Sequence, residues 1–180
     1  MMNQDQSYNQ QAANMPHDFA PQSNFQHQPQ PGSSGFKGRH VYGGKAALSI
    51  DCSYRNGVPA VNISAAPAVT AKRYDWRNKI VLLISEQEWP QVMCVLLGFK
   101  QSVEFKHHGA LKNKGFSLKR QPTGVFIQVF EAKTCFAVPV SAADLFHITA
   151  MMLGHYAGGI EGVSAGELPN LLAATTAECQ

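Results

Sequence analysis

The run from Lys72 to Lys79, KRYDWRNK, sets four cations, Lys72, Arg73, Arg77 and Lys79, around Tyr74 and Trp76. Cationic side chains follow phosphates, and exposed rings stack on unpaired bases at roughly 1 to 3 kcal/mol per base. These residue types therefore suit single-stranded nucleic acid better than a catalytic pocket. The combination recurs as Arg39, Tyr42 and Lys45, then Tyr54, and later as Phe105 with Lys106 and Phe116 with Lys119 and Arg120. All fifteen Lys and Arg fall between Lys37 and Lys133, where only six acids lie, so this span carries +9 while the whole chain carries +3. Charge concentrated in this way favours a polyanion.

Other chemistries fit less well. Gly44-Lys45 invites comparison with a phosphate-binding P-loop, but Arg39 stands where the first glycine is needed and Ala46 where a magnesium-holding hydroxyl belongs. Of the seven histidines, His107 and His108 meet a basic loop and His147 falls within a helix, with no second ligand at metal spacing, so no metal site is expected. The few carboxylates offer no close pair for acid–base or two-metal work. The expectation is a non-enzyme with no catalytic residues, no cofactor and no small-molecule substrate. Cys52, Cys94, Cys135 and Cys179 are widely spaced, which fits a reducing compartment, with Cys94 and Cys135 placed in core elements. No apolar run reaches membrane length and no secretion or transit signal opens the chain, so a soluble, cytoplasmic protein without a membrane partner is expected.

These side chains need elements to hold them. Lys45 to Asp51 alternates as a half-buried strand, with Ala46, Leu48 and Ile50 facing in and Lys45, Ala47, Ser49 and Asp51 facing out. Arg55-Asn56-Gly57 signals a tight turn. Ala60 to Ala66 reads as a second strand broken by Pro67, and Tyr74 to Ile84 as one long third strand. Ser85 and Glu88 form a capping box for a helix through Trp89, Val92, Met93, Leu96 and Leu97 that stops at Gly98. Four short strands follow, Val103–Lys106, Phe116–Arg120, Val125–Phe130 and Cys135–Val140, with Phe126, Phe130, Phe136 and Phe146 read as core. Then VSAADLFHITAMMLG echoes ISEQEWPQVMCVLLG, a weak repeat that implies two strand-rich halves, each closed by a helix. The class is α+β, built mostly from antiparallel hairpins.

Residues 1 to 36 hold eight Gln, four Asn and four Pro but no Lys or Arg, a composition that favours disorder. The expected organisation is a disordered tail over 1–38, a binding domain over 39–156 and a tail over 157–180 with a short helix from Leu168 to Ala174.

Val41-Tyr42-Gly43-Gly44-Lys45-Ala46-Ala47-Leu48-Ser49 and Tyr74-Asp75-Trp76, with Glu104-Phe105-Lys106-His107 and Val138-Pro139-Val140, resemble the Whirly single-stranded DNA-binding proteins over about 41 to 156. The first stretch is similar to the family's K-G-K-A-A-L-S motif, with Gly43 in place of the first lysine. That removes one cation, which Arg39 or Lys37 would replace. The resemblance implies two four-stranded antiparallel sheets packed crosswise, with helices assembling four subunits. It further implies single-stranded DNA bound between subunits with little sequence preference; together with the +9 span and its interleaved aromatics, the expectation is a protein that protects exposed strands in replication, repair, recombination or transfer. The resemblance assigns Lys45 to the assembly of larger oligomers, and places Leu145, Ile148 and Met152 of the last helix in subunit contact. Kinetoplastid guide-RNA-binding proteins share the fold, so RNA stays open as the partner, as does an oligomeric protein-interaction scaffold. With its Gln-rich tail, the chain looks like a bacterial, nucleoid-associated or mobile-element member.

Overall fold

The computed structural model describes residues 37–175, as two antiparallel sheets and three helices. Of the tail expected over 1–38, only Lys37 and Gly38 are among these residues, and they open the first strand. β1 (Lys37–Tyr42), β2 (Ala46–Arg55) and β3 (Val58–Thr70) lie side by side. The end of β3 pairs with the two-residue β4 (Arg73–Tyr74) and its middle with β5 (Ile80–Ile84). After α1 (Trp89–Leu97) comes a four-stranded meander of β6 (Ser102–His108), β7 (Lys114–Gln121), β8 (Gly124–Glu131) and β9 (Thr134–Ser141). α2 (Ala142–Ala157) and α3 (Leu168–Thr175) complete the described chain. Each sheet is thus followed by a helix, in the order the repeated sequence unit implies. Among the described residues no helix is long and apolar enough to cross a membrane.

One core joins the two sheets. From the first sheet it takes Leu48, Ile50, Val61, Ile63 and Leu82, and from the second Phe116, Leu118, Ile127, Val129 and Val138. α1 adds Val92, Met93 and Val95, α2 adds Leu145, Ile148 and Met152, and α3 adds Leu168 and Leu172. Leu145, Ile148 and Met152 are buried within their own chain, so the subunit-contact role set out for them falls away. Tyr156 stacks on Trp89 with ring centroids 3.9 Å apart, tying α2 to α1.

Local chemistry explains the turns and caps. Asn56 and Gly57 both have positive φ, 53° and 82°, as the twist of a two-residue hairpin between Arg55 and Val58 requires. Ser85 and Glu88 bond reciprocally, Ser85 N–H to Glu88 Oε2 at 2.9 Å and Glu88 N–H to Ser85 Oγ at 3.3 Å. Gly98, at φ 91°, returns its N–H to the last carbonyls of α1.

Several boundaries differ from the sequence reading, each for a physical reason. Pro67 does not break β3. The Ala68 amide bonds Lys45 on the β2 side, so the proline nitrogen faces the other side, where β5 has already ended opposite Ala65. The expected long strand Tyr74–Ile84 divides at Asp75, whose side chain accepts from the Arg77 amide and caps a 3₁₀ turn over Trp76–Asn78. α2 runs past Gly154 to Ala157 because His155 is buried there, its Nε2 2.6 Å from the Ser53 carbonyl. A carbonyl only accepts, so His155 carries a proton on Nε2. Cys135 is exposed on β9 rather than in the core and its thiol is free, while Cys94 is disulfide-bonded. The set of reduced cysteines expected from sequence therefore does not hold for Cys94.

Candidate nucleic-acid interface

Pairing register fixes which side chains share a face. On the first sheet, Tyr42 lies across from Ala47 and Ala47 from Ala66, while His40 lies across from Ser49 and Ser49 from Ser64. These residues occupy the face turned away from the core, yet Ala47, Ser49, Ala66 and Ser64 are buried. The sequence reading pointed Ala47 and Ser49 outward to solvent. Instead they form a low floor, and aromatic rings stand beside it.

Those rings come from two segments. Tyr42 and Tyr74 stack with centroids 5.4 Å apart and planes 29° from parallel, and His40 and Trp76 meet edge to face with centroids 5.3 Å apart. His40 and Tyr42 in turn lie 6.1 Å apart. The Tyr74 hydroxyl donates to the Gly43 carbonyl at 2.7 Å, which fixes that ring against the β1–β2 turn. Asp75 orients the following turn and with it Trp76, and the hydrogen bond from Asn78 is the main cause holding the Asp75 carboxyl below its ordinary range. Tyr42 keeps 63% of its surface exposed and Trp76 is part-exposed, so both offer ring faces to a ligand.

Cations border this cluster. Lys45, Lys72, Arg73, Arg77 and Lys79 are all exposed, and among the described residues none is held in an ion pair. The Lys45 carbonyl accepts from the Ala68 amide at 2.9 Å, which sets Lys45 beside the β3–β4 hairpin. Lys72 takes φ 61° in that two-residue turn, next to Arg73. One end of the sheet therefore gathers stacked rings and unneutralised positive charge.

Other expected site residues are placed elsewhere or already engaged. Arg39 bonds Asp144 at 2.8 and 3.3 Å, and Lys106 lies 3.3 Å from Glu104. Arg120 donates to the Val95 and Leu96 carbonyls at 3.2 and 3.0 Å, serving the C-terminal end of α1. Tyr54 is exposed but sits at the far end of β2, its ring against His155 at 4.7 Å. Phe105 is half-buried against Phe116, and Phe116 is fully buried, so it belongs to the core and presents no face to a base. Lys119 is exposed on the far face of the second sheet, across from Phe126.

Three aromatics read as core lie outside it. Phe126 and Phe130 alternate with the buried Val125, Ile127 and Val129, so strand periodicity turns them to the opposite face, where they are half-exposed. Phe146 is 68% exposed on α2. His40 was missed because its place in the cluster depends on Trp76, far away in sequence.

His108 pairs with the capping Glu88 at 2.8 Å, and among the described residues no three potential ligands gather as a metal group. Gly162-Val163-Ser164-Ala165-Gly166 has the spacing of a nucleophile elbow but lies in the α2–α3 connection. There Ser164 Oγ donates to Glu167 Oε2 at 2.7 Å, as part of the cap of α3.

Two antiparallel sheets closed by helices, with a ring-and-cation face on the first, define an α+β domain. A model of the Whirly transcription factors matches residues 53–151, and the chain belongs to that family, whose members are known as single-stranded DNA-binding transcription factors. Solved structures share the fold. The plant transcriptional regulator PBF-2 matches at 24% identity, with 67% of this chain and 90% of that chain covered and a TM-score of 0.52. WHY1 from Arabidopsis thaliana matches at 18% identity over 78% and 94%, with a TM-score of 0.53. WHY3 from the same plant matches at 21% over 79% and 96%, with a TM-score of 0.51. No curated protein matches the chain.

Proposed function

We propose that this protein is a non-enzymatic, oligomeric binder of single-stranded DNA that shields exposed strands during replication, repair, recombination or transfer. The observation that carries this reading is the Tyr42–Tyr74 stack with His40 and Trp76, bordered by Lys45, Lys72, Arg73, Arg77 and Lys79. Rings accept any base and cations follow any backbone, so most of the affinity is sequence-tolerant. Family membership supports the choice of DNA.

Assembly is part of the proposal. Phe146 and the neighbouring Ala143 and Ala150 leave an apolar stripe exposed on α2, which suits contact between copies, as a tetramer. Light scattering of the full chain with and without oligonucleotide tests this, and a strict monomer in both states would refute it.

The binding experiment is a titration of fluorescent oligo-dT at several salt concentrations. If about four phosphates are neutralised per site, log affinity falls against log salt with a slope near −3. A flat slope, or equal affinity for duplex, overturns the reading. Preference for a matched RNA strand in competition would transfer it to RNA.

A further inference from the structure

The same register that builds the aromatic cluster places a hydrogen-bonding row beside it. Moving along the far face of the first sheet, the row Tyr42–Ala47–Ala66 is followed by His40–Ser49–Ser64, and then by Gly38–Asp51–Asn62. Successive rows on one face stand about 7 Å apart, close to the spacing of consecutive bases in an extended strand. Gly38 contributes no side chain, which leaves the row open on the β1 side. Asp51 and Asn62, directly across from each other, are both part-exposed.

Their bonding capacity is only partly used. Ser49 Oγ donates to Asp51 Oδ1 at 2.7 Å, and Asn62 Nδ2 donates to Ser53 Oγ at 3.1 Å. Asp51 Oδ2 and Asn62 Oδ1 accept from no partner among the described residues, and no cation within ion-pair distance neutralises Asp51. A carboxylate with no cationic partner, two rows from the cationic end of this face, repels phosphate. It favours a strand whose backbone is held at that cationic end and whose base edges, rather than phosphates, meet the Asp51–Asn62 row.

We infer that Asp51 and Asn62 read base edges, and that they favour bases carrying an amino group over thymine. This rests on the single-strand reading above and adds a specificity to it. A carboxylate can only accept, so its complement is an amino donor such as N4 of cytosine. Thymine offers one imide N–H between two carbonyl oxygens, and those oxygens face the Asp51 charge unfavourably. Stacking supplies affinity for every base, and this row grades it.

The test compares oligo-dC with oligo-dT of equal length, both pyrimidines of similar stacking area, by competition anisotropy with the full chain at one salt concentration. The wild-type chain should hold oligo-dC roughly fivefold tighter, the size of one favourable base-edge contact. Asp51→Asn keeps an acceptor for Ser49 but removes the charge and adds a donor, so the preference should fall towards one while the salt slope stays unchanged. Asn62→Ala should reduce the preference in part. Equal affinity for the two oligonucleotides in the wild-type chain, or an unaltered preference in Asp51→Asn, overturns the inference while leaving single-strand binding intact. Failure of both oligonucleotides to bind overturns the underlying reading, and this inference with it.

Discussion

The ring of Tyr74 is held between two anchors: it stacks on Tyr42 at 5.4 Å and its hydroxyl donates to the Gly43 carbonyl at 2.7 Å. Both anchors lie at the β1–β2 turn, whereas Tyr74 arrives on β4 from the far side of β3, so the contact joins β1 to β4 across β2 and β3. It joins two motifs distant in sequence into one aromatic face.

Removing a ring from this face should weaken binding without unfolding the domain. For Tyr42→Ala, with 63% of Tyr42 exposed, we expect a loss of about 1 to 3 kcal/mol in oligo-dT affinity and little change in melting temperature. Trp76→Ala should lose a similar amount. Parallel anisotropy and thermal melting decide this, and a large drop in melting temperature for Tyr42→Ala would show that the ring serves the fold instead.

The cations should behave differently. Lys72→Ala combined with Arg73→Ala removes two exposed charges from the β3–β4 turn and leaves the rings in place. If both contact phosphates, the salt slope becomes shallower by about 1.4. A parallel shift in affinity with an unchanged slope would place these two residues off the path of the backbone.

Much of the fold was legible because local signals agreed with each other: the Asn56-Gly57 turn, the Ser85–Glu88 box, the Gly98 stop and the repeated helix all formed. What could not be read were facts of pairing. β1 carries Gly, Arg and His and shows no alternation, so only its ladder with β2 makes it a strand. Charge alone could not separate Arg39, bound to Asp144, or Arg120, bound to helix carbonyls, from the unpaired Lys45 and Lys79. Phe126 and Phe130 were readable in principle, since counting by two from Val125 turns them outward, but aliphatic neighbours suggested core.

Phe116 gives the opposite test to Tyr42. It is fully enclosed, paired with Phe105 and Val129 and touched by the rings of Phe105 and His108. Phe116→Ala should cost about 3 to 5 kcal/mol of stability through lost burial and a cavity. Urea unfolding measures it. A variant that unfolds at the wild-type midpoint yet binds oligo-dT less well would return Phe116 to the interface.

The pair that withdraws Arg39 from the interface predicts a pH dependence. The Arg39 guanidinium, its chief partner, lowers the Asp144 carboxyl below its ordinary range, and the Ser141 hydroxyl adds to the effect. A carboxyl depressed in the folded state contributes stability that is present above its unfolded value. That contribution is lost as pH falls through the folded value. Both side chains are partly exposed, so solvent screening limits the contribution to about 0.5 to 1 kcal/mol. Asp144→Asn keeps an acceptor at the start of α2 but removes the charge, so it should melt below wild type near neutral pH. The gap should close as pH falls below the ordinary aspartate range, where Asp144 becomes neutral as well. High salt should narrow it at neutral pH, because the pair is partly exposed. A gap that stays constant from neutral to acid would show that Asp144 stabilises the chain through hydrogen bonding alone, and would leave Arg39 free to reach a phosphate.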